Sequence, residues 1–232
     1  MRRRLVLFDI DGTLITDGGA SRSAFADALR IVFGYDGDLR RYDFSGRTDP
    51  QISTMVLRDA GWSDEAVKAK LDELWPVYLN GLARNAAHGS VRALPGIPAL
   101  VDALHAERSV TLALLTGNIE RGARLKLTPP ELNDFFPFGA FGSDSSKREE
   151  LPPIAIERAS KIDGHRFHGA DVVIIGDSIY DVRCGVPHNA TTIAVASGKT
   201  AAETLRAENP THFFESVEDT EALLKAILSS RA

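Results

Sequence analysis

The sequence has little of what secreted, membrane-spanning or nucleic-acid-binding proteins depend on. Its single cysteine, Cys184, cannot form an internal disulfide. No stretch approaches the roughly 18 consecutive apolar residues that a membrane-spanning helix needs. The basic start is like that of a signal peptide, but the apolar run after it stops at Asp9, too early for a hydrophobic signal region. We therefore expect a cytoplasmic protein without a membrane partner.

Positive charge is also not in excess. The chain has 27 lysines and arginines against 32 aspartates and glutamates, so its formal net charge is −5. A nucleic-acid-binding protein usually carries a concentrated basic surface, and we expect no such partner here. With 232 residues, of which 44% are hydrophobic, the chain can bury a sizeable core and has room for a main domain and a smaller one.

Short apolar or β-rich runs predict the strands of a parallel sheet. They cover residues 5–8, 110–115, 140–141, 172–175 and 192–196, and most end in small or polar residues. Helical patterns lie between them at 97–106, 120–126, 151–162 and 179–185. This alternation predicts an α/β fold, with a Rossmann-like parallel sheet core and helices on both faces. We assign residues 1–14 and 95–232 to this core domain.

Residues 15–94 have a different pattern, which predicts an inserted α-helical cap domain. Apolar residues recur there at helical spacing, and we expect no strand. Asp49, followed by a proline, is expected to cap one helix. Ser63 is expected to cap a longer helix that Pro76 kinks or divides. The connections near residues 18–19 and 95–96 can act as hinges.

Groups that suit phosphate and metal binding come directly after the predicted strands. Open α/β sheets bind ligands at the carboxyl ends of their strands, so these groups should converge. They are the carboxylates Asp9 and Asp11, the loop Thr116-Gly117-Asn118, the basic pair Lys147-Arg148, and the carboxylates Asp177 and Asp181. Two acids as close as Asp9 and Asp11 favour a divalent, oxygen-seeking ion such as Mg²⁺. The hydroxyl and amides of the loop suit a phosphoryl oxygen.

The order of these motifs resembles that of the haloacid dehalogenase-like hydrolase superfamily. The resemblance rests on Phe8-Asp9-Ile10-Asp11-Gly12-Thr13-Leu14, on Leu114-Leu115-Thr116-Gly117-Asn118, and on Ile175-Gly176-Asp177-Ser178-Ile179-Tyr180-Asp181. It covers essentially the whole chain, and the first and last motifs are the specific ones. The helical insertion resembles the cap of the phosphoglycolate phosphatase and β-phosphoglucomutase branch.

The resemblance implies a Mg²⁺-dependent phosphatase that acts on a small phosphate ester. Asp9 would attack phosphorus and become an aspartyl phosphate. Asp11 would protonate the leaving group, then deprotonate the attacking water, and its backbone carbonyl would help Asp9 to bind the metal. Thr116 and a basic residue would hold the phosphoryl oxygens. Asp177 would bind Mg²⁺ directly, with Asp181 completing or orienting the metal shell.

The basic residue is ambiguous, because the third motif of the family usually has a lysine followed by proline. Lys147 matches it by residue type, and Arg148 by its distance from the prolines that come after it. In the cap, Arg47 is a candidate for binding a substrate anion, with a surface salt bridge as the alternative. The nearest substrate class is a small anion like phosphoglycolate.

Other functions stay open to different degrees. A phosphosugar mutase would use the same aspartyl phosphate but return the phosphoryl group to an intermediate. A non-catalytic phosphate-binding regulatory protein would keep the fold without turnover, although all four aspartates are present. Asp11 argues against a dehalogenase, and a phosphonate hydrolase would need a cap lysine, where only Lys68 and Lys70 are available. Both a monomer and a homodimer are compatible with the sequence.

Overall fold

Within residues 3–229, which the computed structural model describes, the chain is organised around a six-stranded parallel sheet. The strands are β1 (Arg4–Phe8), β2 (Ile15–Thr16), β3 (Arg92–Ala93), β4 (Val110–Leu115), β5 (Gly139–Ala140), β6 (Val172–Gly176), β7 (Thr191–Val195) and β8 (His212–Phe214). The helices are α1 (Ala20–Phe33), α2 (Asp49–Asp59), α3 (Asp64–Ala69), α4 (Leu71–Asn85), α5 (Ile97–Ala106), α6 (Glu120–Leu127), α7 (Leu151–Asp163), α8 (Ile179–Gly185), α9 (Ala202–Ala207) and α10 (Thr220–Leu228). Residues 1–2 and 230–232 of the assigned core domain lie outside the described part of the chain.

The sheet has the strand order β5-β4-β1-β6-β7-β8, and both of its faces are covered. Val6 and Phe8 of β1 pack in an apolar cluster that includes residues of α5 and α10. Leu5 and Leu7 point to the other face and pack in a second cluster that includes residues of α7. Because alternate residues of a strand point to opposite faces, a wholly apolar strand such as β1 needs this double cover. The predicted α/β fold is therefore confirmed.

The register of the central strands positions the candidate site. Phe8 at the end of β1 is paired with Leu114 of β4 and with Ile175 of β6. Since the three strands run in the same direction and end nearly level, the loops after them open at one edge of the sheet. Asp9 begins the central one of these loops.

The inserted segment is mainly helical but not free of strands, so that part of the prediction was wrong. β2 and β3 pair antiparallel, with Ile15 opposite Ala93 and Thr16 opposite Arg92. Two-residue strands are too short to show a periodicity of their own, and their partners are far apart in the sequence. The pair joins the two connections that link helices α1–α4 to the large sheet.

Pro76 does not divide the long helix, because α4 runs through it. The division falls earlier, at Lys70, whose φ of −109° and ψ of 4° separate α3 from α4. α1 and α4 pack against each other, and the rings of Phe25 and Tyr78 meet edge to face at 5.3 Å between centroids. Within residues 3–229, no helix is long and apolar enough to cross a membrane.

Candidate active site

Asp9 comes directly after β1 and lies at the centre of the strand-end edge. Its main-chain N–H donates to the carbonyl oxygen of Ile175 at 3.0 Å, which continues the pairing of β1 with β6. The residue is only 5% exposed. Burial raises the pKa of Asp9 to about 7, against the opposing charge of Arg148 and with further help from Asp181 and Asp11. The surroundings of this carboxylate therefore favour a cation close to it.

Asp9, Asp177 and Asp181 form a buried acidic cluster. One carboxylate oxygen from each lies within 4.8 Å of the others. Burial, and then the charges of Asp9 and Asp181, raise the pKa of Asp177 well above its usual range. Oxygen ligands at this spacing suit a hard divalent cation such as Mg²⁺, which would balance the like charges. The side chains present therefore fit the metal that the resemblance implies.

Two glycines make room for the carboxylate of Asp177. A Cβ at Gly12 would lie 2.5 Å from Asp177 Oδ2, and a Cβ at Gly198 would overlap the same oxygen. Gly12 also has a φ of +81°, a conformation that favours glycine. The hydroxyl of Ser197 donates to the carbonyl oxygen of Gly12 at 2.7 Å and ties the two loops together. The glycine in the first motif is thus needed for close approach as well as for the turn.

Both carboxylate oxygens of Asp181 are already engaged. Oδ2 accepts hydrogen bonds from the main-chain N–H of Ser178 at 3.0 Å and from its hydroxyl at 2.5 Å, which closes a capping box at the start of α8. Oδ1 accepts from the Arg148 guanidinium. Of the two roles predicted for Asp181, completing the metal shell or orienting it, this geometry favours the second.

Arg148 and Lys147 lie in very different places although they are neighbours. Arg148 is buried, with Nη2 3.2 Å from Asp9 Oδ1 and paired with Asp181. Burial alone would disfavour its charge, but Asp181 and Asp9 together raise the pKa of Arg148. The side chain of Lys147 is 64% exposed, and its Nζ lies 3.2 Å from a carboxylate oxygen of Glu150. Arg148, rather than Lys147, is therefore the cation beside Asp9.

The loop after β4 is drawn into the site by hydrogen bonds. Thr116 Oγ1 accepts from the main-chain N–H of Asn118 at 3.3 Å and from its side-chain Nδ2 at 2.9 Å. Asn118 Nδ2 also donates to Asp11 Oδ2 at 2.8 Å. From the sequence, Asn118 is expected to bind the substrate, but in the structure its amide contacts Asp11, the acid–base candidate. Gly117 allows the inserted segment to approach this loop closely, because a Cβ there would overlap the carbonyl oxygen of Arg47.

Lys126 is a site residue that sequence analysis missed. It lies on α6, is 3% exposed, and places Nζ 2.7 Å from Asp11 Oδ2 and 2.6 Å from Asn118 Oδ1. The available signal was its position on the buried face of α6, next to Leu127 and one turn after Ala123. A lysine on such a face needs a charged partner, and Asp11 is that partner.

Asp49 does not cap α2, so that prediction was wrong. The cap is Thr48, whose Oγ1 accepts from the main-chain N–H of Gln51 at 3.2 Å and donates to the carbonyl oxygen of Ser146 at 2.8 Å. Asp49 is the first helical residue, and its Oδ2 accepts from the main-chain N–H of Ile119 at 2.8 Å. Because Thr48 immediately precedes the helix in an extended conformation, its hydroxyl reaches the free N–H, while Asp49 reaches across to the core.

The inserted helical segment and the strand-end edge of the sheet line a cavity of about 500 Å³. Such a volume suits a small ligand. Positive groups at its wall come from Arg22, Arg47, Lys126, Arg148 and Lys199. The guanidinium of Arg47 lies 5.5 Å from the ring centre of Tyr180, and its Nε donates to the carbonyl oxygen of Asp43 at 3.1 Å. Arg47 therefore lies at the cavity, although part of its hydrogen-bonding capacity is used by its own loop.

The fold and the site together define an enzyme with a parallel α/β sheet, whose acidic centre lies at the strand ends beneath an inserted helical segment. The family model for haloacid dehalogenase-like hydrolases matches residues 6–185, and a second, HAD-hydrolase-like model matches residues 152–220. The chain belongs to the haloacid dehalogenase-like hydrolase family.

Known proteins of low sequence identity align with this chain over nearly its full length. A phosphoglycolate phosphatase from Pseudomonas fluorescens is 24% identical over 99% of this chain and 81% of its own. A phosphoglycolate phosphatase from Psychrobacter arcticus is 25% identical over 99% of this chain and 98% of its own. A solved structure of a hydrolase from Pseudomonas syringae has a TM-score of 0.75 at 21% identity and covers 98% of this chain and 100% of its own.

Proposed function

We propose that this protein is a Mg²⁺-dependent phosphatase that hydrolyses a small phosphorylated metabolite through an aspartyl phosphate on Asp9. The observation that supports this most directly is the position of Asp9. It is buried at a strand end, 3.2 Å from Arg148, grouped with Asp177 and Asp181, and open to a cavity of small-molecule size. A buried carboxylate with a fixed cation and a cation-binding cluster beside it is equipped to attack phosphorus.

In the proposed reaction a carboxylate oxygen of Asp9 attacks phosphorus as the ester P–O bond breaks. Arg148 lies beside Asp9 and at the wall of the cavity, so its guanidinium would hold Asp9 in place and bind a phosphoryl oxygen. Thr116 and the loop amides would hold the other oxygens. Asp9, Asp177 and the backbone carbonyl of Asp11 would bind Mg²⁺, which supplies neutralisation of the phosphoryl charge.

Asp11 would perform the proton transfers. It would first protonate the oxygen of the leaving group, then accept a proton from the water that hydrolyses the aspartyl phosphate. Residues 15–94 would act as a cap that closes over the site and excludes bulk water, while residues 1–14 and 95–232 carry the chemistry. The contacts of Thr48 and Asp49 with the core support such a closed arrangement.

The proposed substrate carries a second negative charge on a small leaving group, as phosphoglycolate does. Cationic side chains line the cavity, and the relatives from Pseudomonas fluorescens and Psychrobacter arcticus are phosphoglycolate phosphatases. Since such metabolites are intracellular, we place the enzyme in the cytoplasm. Either a monomer or a homodimer is compatible with the proposal, and size-exclusion chromatography would decide between them.

The test is release of inorganic phosphate from a panel of phosphorylated metabolites with Mg²⁺ or with EDTA, for wild type and for Asp9→Asn. The proposal expects metal-dependent release that the substitution abolishes. Transfer of phosphate within a sugar phosphate, detected by product analysis, would instead identify a mutase. Binding of Mg²⁺ and phosphate without any turnover would identify a regulatory protein.

A further inference from the structure

Lys126 is a buried cation to which the proposed reaction assigns no role. Its ammonium group is shielded from water, because the residue is only 3% exposed. Its Nζ lies 2.7 Å from Asp11 Oδ2, so the ammonium group is paired with a carboxylate. Burying an ammonium ion is costly unless it is well paired, so its partners indicate what it does.

Those partners form a closed triangle around one carboxylate oxygen. Lys126 Nζ donates to Asp11 Oδ2 at 2.7 Å and to Asn118 Oδ1 at 2.6 Å. Asn118 Nδ2 donates to the same Asp11 Oδ2 at 2.8 Å. Within residues 3–229, the hydrogen bonds to the Asp11 carboxylate thus fall on Oδ2. The other oxygen, Oδ1, is the one left to meet a reacting group.

We propose that Lys126 is a positioning residue for the proton transfers, because with Asn118 it fixes the Asp11 carboxylate so that Oδ1 alone gives and takes the proton. The inference rests on the proposed function. In the first step the proton passes from Oδ1 to the leaving oxygen as the P–O bond of the ester breaks. In the second step Oδ1 takes a proton from the water that breaks the acyl phosphate on Asp9.

The charge of Lys126 favours the first of these steps. When Asp11 gives up its proton, negative charge develops on its carboxylate, and a fixed ammonium ion 2.7 Å away stabilises that charge. The hydrogen bond from Lys126 Nζ to Asn118 Oδ1 at 2.6 Å limits the movement of Lys126 and, with it, that of Asp11.

The test compares two phosphate esters that differ in their need for an acid. An alkyl phosphate has a leaving group that must be protonated, whereas p-nitrophenyl phosphate releases a stable anion. For Lys126→Met we expect kcat with the alkyl ester to fall about 100-fold, within the usual contribution of general acid–base catalysis. With p-nitrophenyl phosphate we expect a rapid burst of one nitrophenolate per enzyme, followed by slow turnover, because hydrolysis of the aspartyl phosphate still needs Asp11.

Two further variants make the result specific. Lys161→Met removes a lysine whose side chain is 74% exposed on α7, and it should behave as wild type with both esters. Lys126→Gln keeps a hydrogen-bond donor but not the charge, and it should show the same burst with a smaller loss. Circular dichroism establishes that the variants are folded, and the Gln variant decides the question if the Met variant does not fold.

Other outcomes would overturn the inference. An equal loss with both esters and no burst would mean that Lys126 only maintains the structure. A rise in KM with unchanged kcat would make it a substrate-binding residue. In both cases the proposed phosphatase function would stand, since wild type would still release phosphate. Absence of release by wild type from every ester would overturn the proposed function and the inference together.

Discussion

The two walls of the cavity are held in place in different ways. Three residues of the core wall, Asp9, Thr116 and Asp177, lie at the ends of strands whose register is set by many main-chain hydrogen bonds. The fourth, Arg148, lies in the short turn before α7. The cap wall, formed by residues 44–49, is joined to the core by separate hydrogen bonds of about 2.8 Å, from Thr48 Oγ1 to Ser146, from the Asp49 N–H to Gly117, and from Ile119 to the Asp49 carboxylate.

This difference suggests that the core wall carries the chemistry and that the cap wall controls access of the substrate to it. A single hydrogen bond contributes about 1 kcal/mol net, so a few of them can make and break as a cap opens and closes. The strand ends cannot move in that way without disrupting the sheet. We therefore expect substitutions in the core wall to act mainly on kcat, and substitutions in the cap wall to act on KM and on stability.

The largest effect is expected at Asp9. Asp9→Asn keeps the shape of the side chain but removes the nucleophilic carboxylate, so kcat should fall by more than about 10³-fold. Mass spectrometry of the wild type, quenched during turnover, should find a phosphorylated peptide containing Asp9, and the variant should lack it. Full activity of Asp9→Asn would show that another group attacks phosphorus and that the core wall has been misassigned.

The next effect in size concerns Arg148 and its neighbour. Arg148→Met removes the cation 3.2 Å from Asp9, and we expect kcat/KM to fall about 100-fold or more. Lys147→Met is the matched substitution, and because that side chain points to solvent we expect less than a threefold change. Steady-state kinetics with the best substrate measures both. A larger effect of Lys147→Met than of Arg148→Met would mean that the turn rearranges when substrate binds, so that Lys147 enters the site and Arg148 leaves it.

The core wall could largely be predicted from the sequence, and the reason is geometric. Apolar runs before Asp9, Thr116 and Asp177 indicate parallel strands, and parallel strands bring the residues at their carboxyl ends to one edge of the sheet. The choice between Lys147 and Arg148 could not be predicted, because it depends on how one short turn before α7 directs two adjacent side chains.

The parts that the sequence did not predict depend on contacts between distant segments. β2 and β3 exist only because they pair with each other. Asp49 reaches the main chain of Ile119, and Lys126 reaches Asp11, across 70 and 115 residues of sequence respectively. A single sequence shows neither contact. It does show a charged residue among the apolar residues of a helix, and such a residue needs a partner of opposite charge or a hydrogen-bond donor. Whole-chain patterns thus fix the sheet, while individual long-range pairs complete the site.

The third effect is a pH dependence of stability at Asp49. Burial raises the pKa of Asp49 to about 6, against the opposing charge of Lys126, while the unfolded chain has the ordinary value of 3.8. The folded protein therefore holds this proton more tightly, so its contribution to stability is present below pH 3.8 and is lost as the pH rises through 6.

Asp49→Asn removes this titration and keeps an oxygen that can accept from Ile119. Relative to wild type, the variant should gain up to about 3 kcal/mol in the free energy of unfolding at pH 7, since each pKa unit is worth about 1.4 kcal/mol. The gain should shrink toward zero near pH 4. Urea unfolding of both proteins at several pH values measures the difference. A gain of the same size at every pH would attribute the effect to packing instead of ionisation.

The smallest effect tests how closely the cap wall must approach the core. Gly46 has a φ of +66°, and a Cβ there would lie 2.7 Å from a ring carbon of Tyr180. Gly61 has a φ of +88°, but a Cβ there would meet nothing within 4 Å.

Both Gly→Ala substitutions should cost about 1 kcal/mol of stability through the unfavourable backbone conformation. Only Gly46→Ala should also oppose closure of the helical segment over the site. We expect it to raise KM three- to tenfold, because a cost of about 1 kcal/mol corresponds to a factor in that range. Equal KM values for the two variants would show that the cap does not need this contact during turnover, and the cap wall would then be a lining of the cavity without a role in closing it.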